Sequence, residues 1–161
     1  MVYLIVSPKN PLKDSISSLS ARDRYNAAVS AVNRHFGTSA TKDQNKILVD
    51  DIELNMPEPH YSISTLDALR SREPGNSFTF VMGADNLNDI RRWKDYTRIL
   101  TEFGVAVYPR TSFDLETIRQ DLLNENPTYK IQIINAPMVD ISSTQIRQAQ
   151  SRGEDVSHLL M

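Results

Sequence analysis

Short apolar runs rich in β-favouring residues recur along this chain, and between them stand stretches whose apolar residues repeat with helical spacing. Few architectures accommodate that pattern. The runs are residues 2–6, closed by Ser7-Pro8, then 47–49, 78–82 ending at Gly83, 105–108 and 131–134. Between the first two, Ser20 precedes Ala21, Tyr25, Ala28, Val29, Val32 and Phe36, which share one helix face, and Gly37 stands where the helix can stop. A second helix is expected over 62–69, after the Pro57 and Pro59 loop and before Pro74-Gly75, and a short helical stretch runs through Trp93 to Ile99. Asp114 can cap a helix carrying Leu115, Ile118 and Leu122, and a last helix is expected over about 142–150. Continuous apolar strands separated by helices imply an α/β fold, a mostly parallel sheet with helices on both faces. The first strand is expected to be buried.

The length of 161 residues suits one compact domain, and 40% hydrophobic with 24% charged residues supplies an ordinary soluble core. A formal net charge of -2 provides no global attraction to nucleic acid or to an anionic membrane, so neither is expected as a partner. No apolar run is long enough to span a bilayer. Cysteine is absent, which removes disulfides, thiolate metal sites and cysteine nucleophiles, and suits a reducing cytoplasm. Histidines and carboxylates nowhere take metal-ligand spacing, so no protein-held metal is expected.

In parallel sheets ligands bind beyond the carboxyl ends of the strands, which directs attention to the residues after each run. Gly83-Ala84-Asp85 could let a ligand approach the backbone and offer a carboxylate to ribose hydroxyls; a plain turn with Asp85 as a helix cap explains the triplet more simply. Trp93, Lys94 and Tyr96 follow, an aromatic face and a cation that could line the same crevice, although a lone tryptophan is more often core. Ile141-Ser142-Ser143-Thr144-Gln145-Ile146-Arg147 is the stronger signal. Ser142 and Gln145 have capping-box spacing, Ser143 and Thr144 add hydroxyls to the first turn, and Arg147 can reach the same side with a forked cation. A well-capped surface helix explains that block equally. The stretches 7–13, with Lys9 and Lys13, and 60–66, with Ser62 and Thr65, read as loop and helix start or as polar contacts to a ligand.

Taken in order, Ser7-Pro8-Lys9-Asn10-Pro11-Leu12-Lys13, Tyr61-Ser62-Ile63-Ser64-Thr65-Leu66, Gly83-Ala84-Asp85-Asn86-Leu87 with Trp93-Lys94-Asp95-Tyr96, and the 141–147 block resemble the bacterial nicotinate-nucleotide adenylyltransferases, Rossmann-like nucleotidyltransferases. The 141–147 block is shared widely among nucleotidyltransferases, whereas the order from Asp85 to Trp93 is more particular. The resemblance spans nearly the whole chain and implies one nucleotidyltransferase-like domain over 1–161. It further implies transfer of an adenylyl group from ATP, with Mg²⁺ carried by the phosphates, to nicotinate mononucleotide, giving deamido-NAD and pyrophosphate in NAD biosynthesis. Gly83 and Asp85 would contact the adenosine ribose; Ser142, Ser143, Thr144 and Arg147 would hold the ATP phosphates. Trp93 would stack on the nicotinate ring, with Ser62, Thr65 and Tyr96 near that nucleotide, and Lys13, Lys94 and Arg110 would contact phosphates. Arg147 and Lys13 are the implied catalytic cations. Such a reaction needs alignment and charge neutralisation more than acid or base chemistry, because the attacking phosphate is already anionic.

The chain departs from the family pattern in carrying Ser62 and Ser64 where Thr and Asp are common, and in having no H-x-G-H histidine pair after a first strand. The expectation is therefore a domain without that strand and its loop, a unit of roughly 30 residues. These residues alone should then have little or no adenylyltransferase activity, and an uncovered sheet edge would favour a homo-oligomer. Two other functions stay open, another adenylyltransferase such as one acting on phosphopantetheine, and a non-catalytic nucleotide-binding module. Backbone amides can read a nicotinate carboxylate or a nicotinamide amide, so the preference for nicotinate rests on the resemblance.

Overall fold

A computed structural model describes residues 1–8, 20–36, 47–111, 113–136, 146, 148–149 and 151–156. The chain divides into two compact units, one of Met1–His60 with Ser142–Met161 and the other of Tyr61–Ile141.

In the first unit, strand β1 (Val2–Ile5) pairs in parallel with β2 (Ile47–Asp50), in a register that sets Val2 against Ile47 and Ile5 against Asp50. Helix α1 (Ala21–Phe36) connects them and packs against β2. It starts where the sequence indicated: the Ser20 hydroxyl accepts from the Asp23 amide at 3.1 Å and donates to the Asp23 carboxylate at 2.7 Å. Arg24 on this helix donates through its two terminal nitrogens to the Ser7 and Pro8 carbonyls, each at 2.7 Å, and so anchors the end of β1. Val6 and Val32 are buried, but β1 is not the buried strand expected. Val2 and Leu4, which alternate onto the same face of the strand, are 49% and 38% exposed, so the described residues leave that face open. After β2 a 3₁₀ turn, Ile52–Asn55, leads to His60, which is buried and whose Nδ1 has no hydrogen-bond partner among the described residues. The expected C-terminal helix is visible in part: Ile146, Gln148, Ala149 and Ser151 are helical.

The second unit holds helix α2 (Ser62–Arg72) and three parallel strands, β3 (Phe80–Gly83), β4 (Val105–Tyr108) and β5 (Ile131–Ile133), ordered β3-β4-β5. Every pairing among the described strands is parallel, as the apolar runs required. β3 begins two residues later than expected, since β4 begins only after Gly104, whose φ of +81 turns the chain into the sheet. The Phe80 amide then bonds the Gly104 carbonyl at 3.0 Å. A Cβ on Gly104 would lie 2.8 Å from the Lys130 Cβ, so the turn has room for glycine alone. Helix α5 (Leu115–Glu125) is capped by Asp114, which accepts from the Thr117 amide at 3.2 Å, and buries Leu115 and Leu122.

Between β3 and β4 the expected helical stretch is broken into pieces. Helix α3 (Ala84–Asn88) passes into a 3₁₀ turn at Ile90–Arg92, Trp93 is extended, and Asp95 takes a left-handed φ of 50. Helix α4 (Tyr96–Arg98) then runs on as a π turn, Ile99–Phe103. Burial dictates the breaks: Leu87, Ile90, Ile99 and Leu100 all reach the core, which no uninterrupted helical face from 84 to 103 would allow. Among the described residues no helix is long and apolar enough to cross a membrane.

Candidate nucleotide site

The carboxyl ends of β3 and β4 lie side by side because Gly83 and Tyr108 are register partners. Gly83 is both the last residue of β3 and the N-cap of α3, so the chain turns from strand to helix within one residue. Its φ of -84 is open to any residue, and the atoms crowding the position of a Cβ belong to side chains. A Cβ there would meet the Asp85 Oδ1 at 2.5 Å and the Arg110 Nε at 3.5 Å. Asp85 therefore lies in the first turn of α3 and does not cap it, contrary to the simpler reading of the triplet. Its carboxylate folds back over the end of β3 toward Arg110, which follows β4.

Asp85 Oδ1 and Arg110 Nε are 3.8 Å apart, with side chains 52% and 40% exposed. That separation exceeds a hydrogen bond and leaves both groups hydrated, so the pair is weak and each member can turn to a ligand. A carboxylate acceptor, a guanidinium donor and a bare backbone thus converge at the ligand-binding end of a parallel sheet.

The aromatic segment forms a second grouping. Trp93 is half-buried and packs edge-on against Phe80 of β3, with ring centroids 5.6 Å apart. Lys94 is exposed and places its ammonium 4.7 Å from the Tyr61 ring centre, beside the start of α2. Tyr61 is the N-cap of that helix, and its carbonyl accepts from the Ser64 and Thr65 amides and the Thr65 hydroxyl. Ser62 is the first helical residue, whereas Thr65 is buried within the first turn. The amides of Ser62 and Ile63 precede any intrahelical acceptor and give this terminus its donor character.

Tyr96 lies elsewhere in bonding terms. Its hydroxyl donates to Glu125 Oε1 at 2.6 Å, and Tyr129 donates to the same oxygen at 3.0 Å, while Arg91 Nε meets Oε2 at 2.9 Å. The Tyr96 donation, then Arg91, holds the Glu125 carboxyl below its ordinary range; desolvation, then Glu125, pushes the Tyr129 phenol up to about 12. Nothing in the sequence singles out Glu125 or Phe80, because each acts on a residue brought near by folding. Lys13, Ser142, Ser143, Thr144 and Arg147 lie outside the described residues. A hollow lined by Thr79, Gly104, Lys130 and Gln132 opens at the amino ends of β4 and β5, the end where parallel sheets do not bind ligands.

The cytidylyltransferase-like family model matches residues 3–149. A protein of Flavobacterium johnsoniae named "probable nicotinate-nucleotide adenylyltransferase" is 35% identical over 99% of this chain and 75% of its own length. Its namesake in Flavobacterium psychrophilum is 37% identical over the same shares. The chain belongs to the nicotinate-nucleotide adenylyltransferase family. Among solved structures, the Plasmodium falciparum nicotinic acid mononucleotide adenylyltransferase complexed with NaAD superposes with a TM-score of 0.71 over 97% of this chain and 72% of that one, at 21% identity. Agreement at that identity establishes the fold, a Rossmann-like α/β arrangement of parallel strands and helices. Within this family fold the Gly83, Asp85 and Arg110 grouping occupies the end at which parallel sheets take their ligands.

Proposed function

We propose that the protein transfers the adenylyl group of ATP to nicotinate mononucleotide, releasing pyrophosphate and forming deamido-NAD, in the cytoplasmic synthesis of NAD. The observation that carries this reading is the convergence of Gly83, Asp85 and Arg110 at the carboxyl ends of β3 and β4 in a chain of this family. An oxygen of the mononucleotide phosphate bonds to the α-phosphorus of ATP as the bond from that phosphorus to the bridging oxygen breaks, and pyrophosphate carries away the electron pair.

Asp85 accepts hydrogen bonds from the adenosine ribose, and Gly83 lets the sugar approach the backbone. Trp93, already fixed by Phe80 along one edge, offers a face to the nicotinate ring. Ser62, Thr65 and the first amides of α2 read the ring's carboxylate, with Thr65 acting by shaping the turn. Arg110 and Lys94 attract the nucleotide phosphates; Lys13, Ser142, Ser143, Thr144 and Arg147 hold those of ATP, with Arg147 and Lys13 neutralising the charge that gathers in the transition state. Among the described residues no His, Cys, Asp and Glu side chains gather into a metal cluster. Mg²⁺ enters as part of the substrate, MgATP, carried by its phosphates.

Trp93 is the sole tryptophan, so its fluorescence reports on ring stacking directly. Saturable quenching by nicotinate mononucleotide, together with ATP binding measured by calorimetry and weakened roughly tenfold in Asp85→Ala, supports the reading. Binding of neither nucleotide overturns it. ATP binding without a response to nicotinate mononucleotide points to a nucleotide-binding module instead.

A further inference from the structure

Trp93 and Lys94 sit on a segment with little secondary structure of its own, between the 3₁₀ turn Ile90–Arg92 and the left-handed Asp95. Such a segment holds a stacking face in place only if something outside it fixes both ends. Arg91 and Tyr96 are those ends, and both bond to one carboxylate, Glu125, at the last turn of α5. The two partners use different oxygens, so neither displaces the other. Tyr129 adds a third bond from the far side, and its ring stands edge-on to Tyr96 with centroids 6.5 Å apart. The clasp thus spans Trp93 and reaches residues 29 and 34 positions away in the chain.

We infer that Glu125 is a positioning residue for the pyridine-nucleotide half of the site: by clasping Arg91 and Tyr96 it sets the pose of Trp93 and Lys94, and touches no substrate itself. This inference rests on the proposed function, and it gives Tyr96 a different task from direct contact with the nucleotide. The ATP half, to which Gly83 and Asp85 belong, shares no described bond with the clasp. A clasp of this kind affects one ligand and spares the other, whereas a residue that merely stabilises the fold affects both.

The test is a pair of titrations on the full chain, nicotinate mononucleotide by Trp93 fluorescence and ATP by calorimetry, repeated for Glu125→Ala, Glu125→Gln and Tyr96→Phe. Glu125→Ala should weaken nicotinate mononucleotide binding roughly tenfold, as expected when a supporting contact lets a binding face drift. ATP binding should stay within about twofold, as for sites without shared partners. Glu125→Gln keeps an oxygen for the two phenols but loses the ion pair with Arg91, and should fall between Glu125→Ala and the unsubstituted chain. Tyr96→Phe retains the ring packing and loses one bond, so it decides the matter if Glu125→Ala does not fold; it should weaken the same ligand by a smaller factor. Equal loss of both ligands, or no loss of either, overturns the inference while the substrate reading stands. Failure of the unsubstituted chain to respond to nicotinate mononucleotide overturns the substrate reading and this inference together.

Discussion

The two units share one pattern of apolar strand and helix, yet their described residues bury it differently. In the second, Leu87, Ile90, Ile99, Leu100, Val105, Val107 and Leu122 are each less than 2% exposed and belong to one core cluster. In the first, the buried apolar residues described are Val6, Val32 and Val156, while Glu53 and His60 are also buried in that unit. Apolar patterning alone therefore does not measure how firmly a strand is held; neighbours on both sides and on both faces do. The Gly83, Asp85 and Arg110 grouping and the aromatic segment both stand on the second unit, whose described buried residues form one core cluster.

The contrast is open to attack by truncating each core. Leu122→Ala should cost about 2–5 kcal/mol, the usual range for emptying a packed leucine site. Val32→Ala removes less surface and should cost about 1.5 kcal/mol. Urea unfolding followed by Trp93 fluorescence and by far-ultraviolet circular dichroism reads both; a Val32→Ala cost equal to that of Leu122→Ala would erase the distinction.

Glycine turns sharpen it at smaller scale. Gly104→Ala meets both a left-handed φ and the Lys130 side chain, and should destabilise by about 1–3 kcal/mol. Gly153, in the first unit, has a φ of +76 but nothing within 4 Å of where a methyl group would stand, so Gly153→Ala should cost only the backbone strain, about 1 kcal/mol. Equal midpoints for the two variants would show that the Lys130 contact gives way freely.

The smallest effect is a pH dependence at one carboxylate of the second unit. Arg98, then Arg70, hold the Glu102 carboxyl down from 4.5 to about 2, tying α2 to the π turn. A carboxylate with a depressed folded value contributes stability above its ordinary value and loses it as pH falls toward the depressed one. Unfolding midpoints should thus decline between about pH 5 and about pH 2, and Glu102→Gln should flatten that decline. The change is modest because these ion pairs are solvent-exposed. An unchanged slope in Glu102→Gln would assign the acid sensitivity elsewhere.

Much of this architecture was legible in local spacing. The run at 105–108, the cap at Asp114, the start of α1 at Ser20 and the parallel sense of every described pair follow from side-chain period and capping chemistry, which act over a few residues. Family membership followed too, from the order of short blocks along the chain. Long-range contacts decided the rest. The exposure of Val2 and Leu4 depends on what packs against their face of β1, and the broken helix around Trp93 on which residues the core admits. The close approach of Asp85 to Arg110 depends on the pairing of β3 with β4, and the clasp on Glu125 on α5 lying against the Arg91 to Tyr96 segment. Periodicity records what each element prefers to bury; only packing selects the partners it is buried against.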